Sequence, residues 1–337
     1  MNKILTVSIA AYNVEKYIEK TLNSLLIDDI DDLEILVEDD GGTDNTADIV
    51  KKYEEKYPGI VKLVHKENGG YGSTINKSME LATGKYFKQL DGDDWYETEN
   101  FKKFVNLLKT VDSDAIYTPY NKYLEKEDTY VLKDYFDSEL SGEYKISEVI
   151  GKSSHSIEMH NLTYKTELLR KNKIELLTKC FYTDTQFALF PLINLESIYI
   201  SHAPIYVYRV GRDEQSVSIP GHRKHYEDHV RVSKEIMKFY NEYKNKIDDN
   251  KKQYLFECTK SHVTNTISGF YMVLESSKEV LKKIKEFDAL TEKSCKDIYD
   301  AMLQHSQVIK LLRKTKYNYI VYKILSRIQI KREQREK

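Results

Sequence analysis

Three carboxylates fall within four residues at Asp91-Gly92-Asp93-Asp94, directly after the strand-length run Gly84-Lys85-Tyr86-Phe87-Lys88-Gln89-Leu90. Carboxylates this close repel one another, so the cluster suits a divalent cation held through oxygen better than it suits folding. A second acidic pair, Asp39-Asp40, follows another apolar run and precedes Gly41-Gly42. A carboxylate at a strand end can accept hydrogen bonds from a base N–H or from ribose hydroxyls, whereas Thr43 or Asp44 is placed to cap the next helix. The pairs Gly41-Gly42 and Gly69-Gly70, each taken alone, read as turn chemistry. Asp184 stands near the start of a helix expected over 183–192, where aspartate is also a common N-cap.

The elements that position these residues follow from periodicity. Apolar runs at 4–11, 33–37, 61–65 and 86–90 predict strands, and the amphipathic stretches 14–26, 44–57 and 74–82 predict the helices between them. The resulting β-α-β-α-β-α-β order predicts an α/β fold with a doubly wound, mainly parallel sheet. In such sheets ligands bind beyond the carboxyl ends of the strands, and the loops 11–13, 38–44, 66–72 and 91–95 converge there. Further on, a helix is expected over 97–108, strands at 115–118, 198–203 and 205–209, and helix or loop over 146–160 and 167–172. After Pro220-Gly221 no proline follows and the pattern becomes continuously helical. The expected organisation is therefore an α/β domain over 1–220, in two halves 1–95 and 96–220, followed by a helical region over 221–337.

Composition narrows the classes. The 337 residues are 31% charged and 40% apolar, with 27 Tyr and one Trp, a globular mixture with room for a large core. Three scattered cysteines, Cys180, Cys258 and Cys295, argue against a disulfide framework or a zinc site and for a reducing, cytoplasmic setting. The apolar run at the N-terminus is too short for a signal peptide, and no segment has the apolar length of a membrane span. His155, His160 and His202 lie nearest the motifs without metal spacing; each reads as a structural histidine, and His160 also as a candidate to line an acceptor site. Trp95 reads as core packing.

In their order, Val7-Ser8-Ile9-Ala10-Ala11-Tyr12-Asn13, Asp39-Asp40-Gly41-Gly42-Thr43-Asp44-Asn45, Asn68-Gly69-Gly70 and Asp91-Gly92-Asp93-Asp94 resemble glycosyltransferase family 2, the inverting sugar-nucleotide transferases of the GT-A fold. The resemblance covers roughly 4–218 and implies that 1–220 is the catalytic domain, with 1–95 its nucleotide-binding half and 96–220 its acceptor half. It implies a nucleotide-sugar site that includes Ala11, Tyr12, Asp39, Asn68, Gly69, Asp91 and Gly92. It further implies a Mn²⁺ or Mg²⁺ ion on Asp93 and Asp91, bridging the diphosphate. Asp184, in Tyr182-Thr183-Asp184-Thr185, looks like the family's late Glu-Asp motif and would be the base that deprotonates the acceptor; Thr183 stands where Glu is usual. Arg209 and Arg212, in the segment 208–218, resemble the basic residues that close over the diphosphate, although either can equally form a surface ion pair. Many members carry Arg before the asparagine matching Asn76; this chain has Ile75.

The resemblance implies a single-addition enzyme, because the Gln-x-x-Arg-Trp motif and the transmembrane helices of processive synthases are absent from this sequence. The implied partners are a nucleotide-sugar donor, most naturally a UDP-sugar, and a glycan or lipid-linked glycan acceptor in bacterial surface polysaccharide assembly; no nucleic acid is expected. A non-catalytic sugar-nucleotide or glycan-binding module and a nucleotidyltransferase are the alternatives. Residues 310–337 carry ten Lys or Arg against two Glu, leaving 42 basic and 52 acidic residues elsewhere. Within that tail Tyr317, Ile320, Val321, Ile324, Leu325 and Ile328 are expected on one helical face, opposed by Lys316, Lys323, Arg327 and Lys331. Such a helix suits peripheral contact with the inner face of the cell membrane, or packing on the body with its charges in water. The helical stretch 222–309 is open to two uses, an acceptor wall or a homodimer contact.

Overall fold

Leu5–Ala11 (β1) is buried along nearly its whole length, as a strand covered on both faces must be. In a computed structural model of the protein, which describes residues 3–211 and 215–334, it is followed by Ile18–Asn23 (α1), Leu33–Asp39 (β2), Thr46–Lys56 (α2), Val61–His65 (β3), Tyr71–Leu81 (α3) and Tyr86–Asp91 (β4). The chain divides into two compact units, Met1–Val210 and Gly211–Lys337.

The first unit continues through Trp95–Tyr96 (β5), Thr98–Thr110 (α4), Ala115–Tyr117 (β6), Tyr120–Leu124 (β7), Thr129–Lys133 (β8), Gly142–Lys145 (β9) and Ile146–Val149 (α5). Leu162–Lys165 (β10), Thr166–Lys171 (α6), Asp184–Leu189 (α7), Ser197–Ile200 (β11) and Tyr206–Val210 (β12) complete it. Its main sheet has eight strands in the order β3-β2-β1-β4-β10-β6-β11-β9, and a four-stranded sheet runs β5-β12-β7-β8. β1 pairs in parallel with both β2 and β4, so strand order reverses direction at β1. That reversal opens the crevice where doubly wound sheets bind ligands. β10 enters antiparallel between β4 and β6.

Several local expectations shift. The helix expected over 14–26 shrinks to α1 because the Val14 N–H donates to Thr46 Oγ1 (2.9 Å) and the Glu15 N–H to Asp44 Oδ2 (2.9 Å), which ties the β1–α1 loop to the start of α2. Asp44 Oδ1 also accepts from the Thr46 N–H, so it caps α2 from one position outside Asn45. Of the stretch 146–160 only Ile146–Val149 is α-helical, and β7, β8 and β10 carried no readable signal. β8 is exposed over most of its length, so it has no buried face to impose alternation.

Glu38 on β2 is wholly buried beside the side chains of Ser8 and Ser78. Burial pushes its carboxyl up to about 8. Because the folded value lies above the ordinary 4.5, the folded chain holds this proton more tightly than the unfolded chain does. The associated stability is complete below about pH 4.5 and is lost as pH rises toward 8. Glu38→Gln is therefore expected to stabilise the protein at pH 8 by on the order of 3 kcal/mol, with the gain vanishing toward pH 4.5. Thermal melts at the two pH values check this; an equal gain at both would remove the buried carboxyl as its cause.

The second unit is helical: Ile219–Tyr243 (α8), Asp249–Asn265 (α9), Lys278–Ser294 (α10), Lys296–His305 (α11), Gln307–Lys314 (α12) and Tyr319–Glu333 (α13). Pro220 and Gly221 lie in the first turn of α8, capped by Ser218, where proline is tolerated because its missing N–H has no helical partner there. Asp248, Ser277, Ser306 and Asn318 cap α9, α10, α12 and α13 in the same way.

Candidate active site

Strand register sets out the site. Asp91 pairs with Ala10, Ala11 with Asp39, and Asp39 with His65, so the ends of β4, β1, β2 and β3 present these residues in a row. Adjacent strands lie about 4.8 Å apart, so the backbone at Asp91 and at Asp39 is separated by roughly 10 Å.

At the β4 end the acidic loop is tied down from several directions. The Gly92 N–H donates to Ala10 O (3.0 Å), and Thr21 Oγ1 donates to the carbonyls of Gly92 (3.1 Å) and Asp94 (2.6 Å). Both Asp94 oxygens accept from β12: Oδ2 from the Tyr206 hydroxyl (2.7 Å) and Oδ1 from the Arg209 N–H (2.8 Å). Asp91 Oδ1 accepts from the Tyr71 hydroxyl at 2.5 Å, and its N–H donates to Tyr206 Oη at 3.1 Å. The ligand atoms of Asp91, Asp94 and His160 all lie within 4.8 Å of one another. The His160 ring stacks on Tyr208 (4.7 Å) and meets Tyr206 edge-on (4.6 Å), and its buried Nδ1 lies 3.5 Å from Glu158 Oε2. Burial and then the charge of Asp93 push the Asp91 carboxyl up to about 6, and the same causes with Asp91 added hold Asp94 well above the carboxylate range.

At the β2 end, Asp39 Oδ1 accepts from the Gly42 N–H (3.1 Å), and its Oδ2 lies 2.7 Å from His65 Nδ1. Asp40 ties the second loop to the third: it accepts from the N–H groups of Gly69 (2.9 Å) and Gly70 (2.8 Å) and pairs with Lys66. Ala11 is buried and its carbonyl accepts from the Asp40 N–H, while Tyr12 and Asn68 stand exposed beside it.

The segment 176–183 carries Asp184 to this edge. Asn76 holds it, accepting from the Leu176 N–H and donating to the Leu176 carbonyl, both at 2.9 Å. A Cβ on Gly72 would stand 2.2 Å from the Leu177 carbonyl, and Gly70, at φ +78°, lies against the backbone of Lys179 and Cys180. These two glycines thus serve close approach between backbones as well as turning. Thr183 occupies the N-cap position of α7 without a side-chain hydrogen bond, and Asp184 is the first helical residue, so it is not the N-cap. Its carboxyl is raised by burial, and its charge acts on Asp91, Tyr71 and Tyr208.

A family model for Glycosyl transferase family 2 matches residues 6–176, half of the chain. The chain belongs to this family. Among its relatives, an uncharacterized glycosyltransferase of Mycoplasma genitalium, MG060, is 29% identical over 245 residues, 69% of this chain and 78% of that protein. Residues 1–349 of S. aureus TarS, solved in complex with UDP-GlcNAc, superpose with a TM-score of 0.68 at 20% identity, over 96% of this chain and 90% of that one. The mannosyltransferase PcManGT of Pyrobaculum calidifontis, solved with GDP-Man and Mn2+, gives 0.51 at 16% identity, over 98% and 87%. The expected α/β architecture of the GT-A type is therefore present, and this glycosyltransferase has helices C-terminal to it.

The donor set fits a divalent metal ion: two carboxylates and a histidine ring converge at one point, and the carboxyls are pushed up by burial and by one another's charge. The resemblance paired Asp91 with Asp93; the side chains that converge are Asp91, Asp94 and His160, with the charge of Asp93 acting on both aspartates. Arg209 is occupied. Its Nε donates to Asp93 O (3.1 Å), its guanidinium pairs with Glu125 (2.7 Å) and lies over the rings of Tyr17 (5.0 Å) and Trp95 (4.9 Å). It braces the acidic loop, and Trp95 is core packing as expected. Arg212 lies outside the described residues.

Sequence reasoning missed Tyr71 and Tyr206, which meet the carboxylates, along with Lys66, and it noted Tyr208 only as part of the segment 208–218. For Tyr71 and Tyr206 the signal was the abundance of tyrosine, which names no position.

Proposed function

We propose that this family 2 glycosyltransferase moves a single sugar, with inversion, from a UDP-sugar to a hydroxyl acceptor in a metal-dependent reaction. The observation that carries the reading is the shared edge: Asp39, Ala11 and Asp91 stand in register, and the charge of Asp184 acts on Asp91 from the opposite half of the unit. We assign the catalytic role to residues 1–210. Asp39, braced by Gly42 and His65, accepts from the base or ribose, with Ala11, Tyr12, Asn68 and Gly69 around it. Asp91, Asp94 and His160 would hold the cation, with Asp93 of the expected pair adding its charge, and Tyr206 and the Arg209 N–H fix Asp94 and its loop in place. When bound, Mn²⁺ or Mg²⁺ stabilises the negative charge that develops on the departing diphosphate. Asp184 takes the proton from the acceptor hydroxyl as its oxygen attacks the anomeric carbon from the face opposite the diphosphate; its raised carboxyl keeps it basic enough to do so. UDP as the nucleotide is supported by the fold shared with TarS, which was solved with UDP-GlcNAc. A lipid-linked glycan acceptor and a role in bacterial surface polysaccharide assembly complete the proposal.

The test is release of nucleoside diphosphate across a panel of UDP-, GDP- and dTDP-sugars, with Mn²⁺ and with chelator. Release from a UDP-sugar alone, abolished by chelator and restored by Mn²⁺, is expected. Metal-dependent binding with no turnover on any donor and acceptor pair favours a binding module instead.

A further inference from the structure

The solvent side of α13 carries an apolar stripe. Ile320, Ile324 and Ile328 are 68, 52 and 58% exposed, and no other helix among the described residues exposes three large apolar side chains. Their spacing of four aligns them along about 12 Å of helix. The face differs from the one expected from sequence, because Tyr322, Leu325 and Ser326 turn inward: Ser326 Oγ donates to Met272 O (2.8 Å) and meets Ser276 Oγ (3.0 Å). Leu325 thus belongs to the core of its unit and leaves the isoleucines uncovered.

The bases also fall elsewhere than expected. At 100° per residue, Lys323, Arg327 and Lys331 lie within about 60° of Ile320, beside the stripe rather than opposite it. None of the three forms an ion pair among the described residues, and the acidic residue of this helix, Glu333, accepts from Gln329 Nε2 (2.9 Å). Lys310, Lys314 and Lys316, just before the helix, are exposed as well.

We infer that this face of α13 docks on an anionic phospholipid surface, with the isoleucines entering the interface and the bases reaching the headgroups. Long basic side chains beside a narrow apolar stripe can lay their stems along hydrocarbon while their charges stay at the headgroup level. A second copy of this chain is disfavoured as the occupant, because a self-complementary contact would bring two basic strips into one interface with Glu333 as the only acidic residue of each helix. The inference stands on α13 and does not depend on the assigned chemistry.

The experiment is sedimentation of the full chain with vesicles of phosphatidylcholine, with and without roughly 30% phosphatidylglycerol. Binding is expected only with the anionic lipid and is expected to weaken with salt. Lys323→Gln, Arg327→Gln and Lys331→Gln together should lower the affinity about a hundredfold. The exposed set Ile320→Ser, Ile324→Ser and Ile328→Ser should abolish binding with an unchanged melting temperature; if that variant melts early, the charge variant alone decides. No binding to the anionic vesicles, or binding that survives the charge variant, overturns the inference. So does a dimer that the isoleucine variant converts to monomer, which would make the face a protein contact.

Discussion

Asp184→Asn is expected to lower turnover by about a hundred- to ten-thousand-fold while leaving the affinity for the sugar nucleotide and for metal near wild type. The substitution keeps the shape of a buried side chain at the start of α7 and removes its capacity to take a proton. Because burial raises this carboxyl, the acid limb of the wild-type rate profile should lie above the ordinary carboxylate range, with activity lost as pH falls through it. In the Asn variant that limb should disappear from the residual rate. Single-turnover transfer with equilibrium donor binding measured in parallel separates the two effects. A variant that turns over normally removes Asp184 from the chemistry, and one that no longer binds donor reassigns it to the nucleotide site.

His160→Ala is expected to weaken Mn²⁺ binding at least about tenfold to a hundredfold, with turnover partly restored at high Mn²⁺. The ring also stacks on Tyr208 and fills space beside Tyr120 and Tyr206, so truncation alone would confuse ligation with packing. His160→Phe preserves the aromatic contacts and removes the nitrogen. If both variants lose metal affinity equally, ligation is the cause; if Phe behaves as wild type, His160 acts by packing. Titration of Mn²⁺ by its paramagnetic signal reads this without depending on an acceptor.

Much of the first unit was legible because its signals are local. Val61–His65 was bounded correctly although it is a largely uncovered edge strand, and the strands ending at Asp39 and Asp91, short apolar runs buried on both faces, were missed by one or two residues. In the four-stranded sheet β12 was expected within a residue of its place, whereas β7 and β8 were less legible. Their residues pair at long range or lie exposed, and cross-strand pairing leaves little trace in neighbouring sequence. The α13 helix was foreseen, but its facing was not. Periodicity could not weigh Ser326, whose hydrogen bonds to Met272 and Ser276 hold it to the core.

By itself the sequence determined the family, the doubly wound architecture and the placing of Asp39 and Asp91 at strand ends, because each rests on residues adjacent in the chain. Only the tertiary structure decided which side chains meet at that edge. Asp94 turns to Tyr206 and Arg209, 112 and 115 residues away, and His160 arrives beside Asp91 after β10 has been inserted antiparallel to β4. Asp184 reaches the same edge because Gly70, Gly72 and Asn76 let its segment pack backbone to backbone on the donor loop. Such convergence depends on strand order and on close approach between distant segments, and neither property is carried by a local pattern of residue types.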